Sequence, residues 1–151
     1  FEVKSLLLRF EEGREKDKGG FLSSMQLGFK EGDDREAVTM LASNIGKTQE
    51  ATFSENGTTQ QAGMKTGITT KDNVLVPNPV NLIPYRTFLE VEQPASDFVF
   101  RVSEGGGGAP VFKLVAADGR VWKSQAVANV KAYLVEALKD IPDRDKITII
   151  A

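Results

Sequence analysis

The chain contains no cysteine and no histidine. Without cysteine there is no disulfide, no thiolate nucleophile, no iron–sulfur cluster and no Cys-containing zinc motif. Without histidine no side chain titrates near neutrality while binding both protons and metals, which excludes serine-type triads, HExxH zinc sites and imidazole acid–base catalysis. Any chemistry must rest on carboxylates, Lys, Arg, Tyr or hydroxyls. Charge of one sign is also scarce. Lys and Arg number 19 and Asp and Glu 21, both spread evenly along the chain, so the clustered cations that bind nucleic acid by counterion release do not stand out. The longest apolar runs, such as residues 6–8 and 147–151, are far below the roughly 18 residues that cross a bilayer, and there is no signal-peptide pattern. These features set the expectation of a cytoplasmic protein with no membrane partner.

What is present suits one globular domain covering residues 1–151. Of its 151 residues, 40% are hydrophobic and 26% charged, the usual makeup of a soluble domain. At this length folding removes roughly 68–70% of the unfolded chain's surface from water, so no metal or disulfide is needed to hold it. The first residue is Phe1, followed at once by Val3, Leu6, Leu7, Leu8 and Phe10. That apolar opening without a start residue reads as the C-terminal part of a longer chain, or as a chain whose disordered or cleaved leader is left out.

Residues 11–20 are charged, contain Gly and lack an apolar period, so they read as a solvated loop or a frayed helix. Phe21, Leu22, Met25 and Phe29 then recur at helical spacing, ending near 28–32. Asp33 with Glu36 three residues on predicts a capping box, and Val38, Leu41, Ala42 and Ile45 form the following helical face, with Gly46 as its stop. From Thr48 the period changes. Asn56-Gly57 suits a type I′ turn between strands 50–55 and 58–64, whose faces are polar apart from Phe53 and Met64. Further strands are expected over 74–76, 82–91, 98–102 and 111–116, punctuated by Pro77, Pro79, Pro84 and Pro94, which belong at edges, bulges or strand starts. Asp118-Gly119 marks a turn. Ser124 is the expected cap of a helix with apolar residues Val127, Val130, Leu134, Leu138 and Ile141, ended by Pro142, and the β-branched run 147–150 reads as a buried strand returning to the sheet. The fold class is therefore α+β: a helical N-terminal third, a largely antiparallel sheet, and a C-terminal helix and strand packed on it.

Each candidate site has a plain structural counterpart. Successive N–H groups in Gly105, Gly106, Gly107 and Gly108 could cradle an anion, but no Gly-Lys-Ser/Thr follows and Pro110 stands where a last Gly is required, which favours a hairpin connection. Strand alternation places Arg86, Phe88, Glu90 and Glu92 on one face, where the two carboxylates could share a metal. An Arg–Glu pair is favoured, because no third ligand follows at a recognised spacing. Trp122, Tyr133 and Phe112 could stack bases, and core packing is the favoured alternative. No catalytic, cofactor-binding or metal-binding residue is assigned, and no cofactor is expected.

The series Asp33-Asp34-Arg35, Asn44-Ile45, Asn56-Gly57, Val76-Pro77-Asn78-Pro79-Val80, Pro84-Tyr85-Arg86-Thr87-Phe88, Glu90-Val91, Gln93-Pro94, Phe98-Val99-Phe100-Arg101, Ala117-Asp118-Gly119 and Trp122-Lys123 resembles a family of uncharacterised proteins of tailed phages and prophages. The densest match runs over 77–101. The resemblance implies a longer N-terminus and a phage accessory role inside the infected bacterium, and it supplies no mechanism. Relatives carry an acid before Ala-Asp-Gly and a second Gly after it, whereas this chain has Ala116 and Arg120, which weakens an enzymatic reading of that turn. The expected function is non-enzymatic binding or oligomerisation. Two alternatives remain open: a nucleic-acid accessory role using Arg86, Arg101, Lys113, Arg120 and Lys123, and a carboxylate-based metal-dependent enzyme using Glu90 and Glu92. The expected partners are a second copy of the chain or a host protein. Expected contact residues are Phe53, Asn56 and Gly57 in the hairpin, Pro77, Pro79, Tyr85 and Arg86 in the Pro-rich stretch, and Arg101 and Trp122.

Overall fold

The computed structural model describes residues 13–45, 51–56, 59–66, 69–70, 74–76 and 78–151, with residues 51–76 described by their backbone. The opening apolar cluster, Gly46, Gly57 and Pro77 lie outside the described residues.

The first helix, α1 (Lys18–Gly28), starts three residues before its apolar stripe. Asp17 caps it, its side chain accepting from the Gly20 N–H at 2.7 Å, which satisfies one of the donors a helix start leaves unpaired. This cap draws Lys18, Gly19 and Gly20 into the first turn despite the poor helix propensity of glycine. Phe21, Ser24, Met25 and Gly28 then face inward, the i, i+3, i+4, i+7 pattern of an amphipathic helix.

Helix α2 (Asp33–Asn44) follows, with Val38, Leu41 and Ala42 buried. The expected capping box does not form. Gly32 is the N-cap and makes no side-chain bond; Asp33, Asp34 and Glu36 sit inside the first turn, where their charge favours the positive end of the helix dipole. Asp34 is used elsewhere, accepting from the Asn81 N–H at 2.6 Å. Arg35 reaches back to α1, its Nε donating to the Met25 carbonyl at 3.0 Å, so one helix supplies the C-terminal cation of the other.

Four strands, β1 (Ala51–Asn56), β2 (Thr59–Thr66), β3 (Thr69–Thr70) and β4 (Val74–Val76), form a sheet in which β2 pairs with the other three. The β1–β2 hairpin closes on the pair Asn56↔Thr59, one residue later than a turn centred on Asn56-Gly57.

The second sheet is antiparallel, with order β5 (Val80–Leu82), β6 (Ser96–Glu104), β7 (Pro110–Ala116). Strand β6 alternates strictly, burying Ser96, Phe98, Phe100 and Val102, and β7 adds Phe112 and Leu114. This face meets α1 and α2 in one aromatic core. Phe21 stacks on Phe112 with ring centroids 5.0 Å apart, and Phe29 meets Phe98 edge-on at 5.7 Å, both favourable arrangements of ring quadrupoles. Gly105–Gly108 connects β6 to β7, as read; the Gly105 N–H donates to the Ala109 carbonyl at 2.7 Å, so it serves the hairpin.

After β7 the turn Asp118-Gly119-Arg120 takes positive φ at Gly119 and Arg120 and leads into α3 (Trp122–Ala137). Val121 is the N-cap and makes no side-chain bond, so Ser124 lies inside the first turn and does not cap. The α+β class is as the sequence implies: a helical N-terminal region, an antiparallel sheet and a C-terminal helix. The closing strand is not formed. Residues 147–151 belong to no strand, and residues 148–151 make no backbone hydrogen bond among the described residues. The sheet has little edge to offer them: Asp34 occupies the outer Asn81 N–H of β5, and Lys16 exchanges two backbone bonds with Phe112 of β7, each 2.8 Å.

Candidate functional site

The stretch 82–91 is not a strand beyond Leu82. Pro84 forms a single bridge with Phe29, and the Tyr85 N–H donates to the Gly28 carbonyl at 3.0 Å. From Arg86 the chain leaves the sheet and is organised by one buried side chain. Gln93 Oε1 accepts from the N–H groups of Arg86 and Thr87 at 2.9 and 3.1 Å, and its Nε2 donates to the carbonyls of Phe88 and Val91 at 2.8 and 3.0 Å. All four bonds replace ladder bonds that this segment gives up. The tip they hold presents Phe88, 68% exposed, and Leu89, 77% exposed.

This loop overturns the expected ion pair. Glu90 and Glu92 are exposed, and Arg86 turns the other way, its side chain only 3% exposed. Its Nη1 lies 4.0 Å from Asp118 Oδ2, with the Ser96 hydroxyl between them, accepting from Arg86 and donating to Asp118. The guanidinium carbon sits 4.2 Å from the centre of the Trp122 ring and 5.7 Å from that of Phe98. A buried guanidinium is tolerable under these conditions, since a carboxylate balances its charge and an aromatic face attracts it. The cluster ties the 86–93 loop, the start of β6, the β7–α3 turn and the first residue of α3 together. Ser96 is 3% exposed and out of a substrate's reach, so the cluster is a joint.

Of the remaining expected contact residues, Tyr85 and Arg101 are half-buried and Pro79, after a cis peptide bond, is exposed. The backbones of Phe53 and Asn56 lie in β1. Phe112 is fully buried beside Phe21 while Tyr133 is exposed on α3, so Trp122, Tyr133 and Phe112 do not make one platform. Nor do the five cations of the nucleic-acid alternative share a surface, since Arg86 is interior. Among the described residues, no group of three acidic side chains is placed to hold a metal, and no helix is long and apolar enough to cross a membrane.

The feature that sequence reasoning placed in the core, and that the structure places outside it, is the apolar face of α3. Ala126 is its single buried residue. Asn129 anchors the helix to the loop, donating to the Glu92 carbonyl at 2.9 Å. Beside it on the helix, Val127 is 51% exposed and Leu134 and Val135 are also exposed, as are Ile141, Ile147 and Ile150 in the residues that follow α3. The C-terminal tail runs back beside this stripe and covers it incompletely. A groove of about 390 Å³ remains between Val127, Val130 and Leu134 of the helix, Thr87 of the loop, and Ile149 and Ile150 of the tail. This groove is bordered by Thr87, which is next in sequence to the exposed Phe88-Leu89 tip. The amphipathic pattern alone could not reveal it, because a stripe that faces the core and one that faces a partner are written identically. No family model, curated protein or solved structure matches the chain.

Proposed function

We propose that this chain acts by non-enzymatic binding, and that the α3 face with its groove is the surface that engages another protein. The observation that carries the reading is the exposed apolar residues Val127, Leu134 and Val135 of α3, a helix that starts on the Arg86–Trp122 contact and whose groove is bordered by Thr87, next to the exposed Phe88-Leu89 tip. Leaving such a surface in water forfeits about 25 cal/mol for each Å² that a partner would cover. The resemblance to proteins of tailed phages and prophages supports an accessory role in the cytoplasm of an infected bacterium, with a second copy or a host protein as partner.

The test is site-specific photocrosslinking. A photoreactive side chain at Val127 in the groove is compared with one at Ala132, which is exposed on another side of α3, both in the purified protein and in bacterial lysate. Discrete crosslinked products at 127 that are absent at 132 are expected. Equal, diffuse products at both positions would overturn the reading.

A further inference from the structure

We infer that residues 148–151 are a displaceable strap: closed, they seat Ile149 on the apolar side of α3, and open, they free that side for the protein that binds there. The inference rests on the proposed binding role and adds its regulation.

Ile149 is the contact that closes the strap. It lines the groove of about 390 Å³ beside Val130 and Leu134, and it also lines a second cavity of about 210 Å³ beside Val135 and Leu138. The helix is therefore plugged at one point between two voids, whereas a packed interior leaves few gaps larger than a water molecule. Val130, Leu138 and Ile149 are half-buried, and the next residue, Ile150, is 93% exposed. The backbone adds no latch, since residues 148–151 make no backbone hydrogen bond among the described residues. Each ordered residue gives up conformational freedom that its contacts must outweigh. One half-buried isoleucine set against four ordered residues is a narrow balance, and segments of this kind open locally while the rest stays folded.

The strap has a fixed base. Asp143 turns the chain at φ 71°, and the Lys146 and Ile147 N–H groups donate to the Asp143 and Arg144 carbonyls, each at 2.9 Å. Helix α3 is secured separately, by the Arg86–Trp122 contact and by the Asn129 bond to Glu92. Opening thus disturbs neither. A partner that binds only the open form draws the equilibrium toward it, and the closed strap weakens that binding by occupying the same apolar strip.

Because the chain has no cysteine, an introduced one reports opening through its rate of reaction with a thiol reagent. Val130→Cys should react at a rate that urea below roughly 2 M barely changes, because little surface is exposed by a local opening. Ala42→Cys, fully buried in the core, should react only through global unfolding and accelerate with urea. Adding Ile149→Ser to Val130→Cys should speed the reaction roughly tenfold with an unchanged circular dichroism spectrum, and Ile149→Ser should strengthen the discrete Val127 photocrosslinks. Equal urea dependence at the two cysteines, or a Val130→Cys rate that Ile149→Ser leaves unaltered, would overturn the strap. If Val127 crosslinks discretely but Ile149→Ser does not strengthen the products, the strap does not regulate binding and the binding face stands. If Ile149→Ser speeds the Val130→Cys reaction but no discrete crosslink forms, the strap opens and the binding role fails.

Discussion

Asp118 is the carboxylate that meets the interior cation through Ser96. Its carboxylate balances Arg86 through Ser96 while its Oδ1 accepts from the Arg120 N–H at 3.1 Å. Replacing one partner of a buried pair leaves the other charge uncompensated, which costs more than the pair itself contributes. Asp118→Ala should therefore lower unfolding stability by about 3–5 kcal/mol, and combining it with Arg86→Met should recover a large part of the loss. Urea titrations of the two single variants and the double variant measure this. A loss below about 1 kcal/mol for Asp118→Ala would mean that other groups around Arg86, and not Asp118, balance the charge. Gln93 is the second decisive residue, because both ends of its amide are used. Gln93→Glu keeps the acceptor but points an anion at the carbonyls of Phe88 and Val91. It should destabilise by about 2 kcal/mol or more, by the usual cost of unsatisfied buried groups. Hydrogen exchange should show the Arg86 and Thr87 amides losing protection before those of β6. Unchanged protection at these two amides would show that the loop is held by something other than Gln93. Neither residue advertises its role in the sequence. Arg86 has two acids within six residues, and its actual partner lies 32 positions away.

At the level of elements, the sequence is legible where local signals act alone and misleading where an element needs a particular neighbour. The 21, 25, 29 stripe, the strand at 98–102 and the Gly105–Gly108 connection follow from period and turn chemistry, and they appear as read. The run 82–91 has strand composition, yet Pro84 removes a donor and the segment finds its bonds in Gln93. The run 147–150 is β-branched, yet the sheet edges are already occupied, so it stays unpaired. The start of α1 shows a local signal that the composition of residues 11–20 concealed. Asp17 overrides two consecutive glycines, and those glycines are not equivalent. A Cβ at Gly20 would lie 2.8 Å from the capping oxygen of Asp17, whereas at Gly19 it would meet nothing within 4 Å. Gly19→Ala should stabilise the protein by about 0.5–1 kcal/mol through helix propensity. Gly20→Ala should gain nothing or destabilise, because the cap it disturbs is worth about 1 kcal/mol. Parallel thermal melts decide the matter, and equal gains for the two variants would mean that the Asp17 cap carries no weight.

For the whole molecule, the contrast is between a core completed within one chain and a C-terminal helix that is not. Phe21, Phe29, Phe98, Phe100 and Phe112 are fully buried between two helices and a sheet, while α3 meets that body through Trp122 and Asn129 and its apolar stripe is only partly covered, by the C-terminal tail. The sequence reveals the stripe and its spacing but not its direction, since direction depends on the Arg86–Trp122 joint that fixes how α3 leaves the sheet. The two halves should accordingly respond differently to substitution and to concentration. Truncating a core ring, as in Phe98→Ala, should cost about 3–5 kcal/mol at any protein concentration, because the cavity lies within one chain. Leu134→Glu should cost the isolated chain little, as Leu134 is already part-exposed. If the partner is a second copy, however, dimerisation adds to the folded state's stability by mass action, and the melting temperature of the unmodified chain should climb as concentration is raised a hundredfold. Leu134→Glu should flatten that dependence and converge with the unmodified chain at the dilute end. A melting temperature independent of concentration in both proteins would leave the joint and the core as described and remove the second copy as a partner of the α3 face.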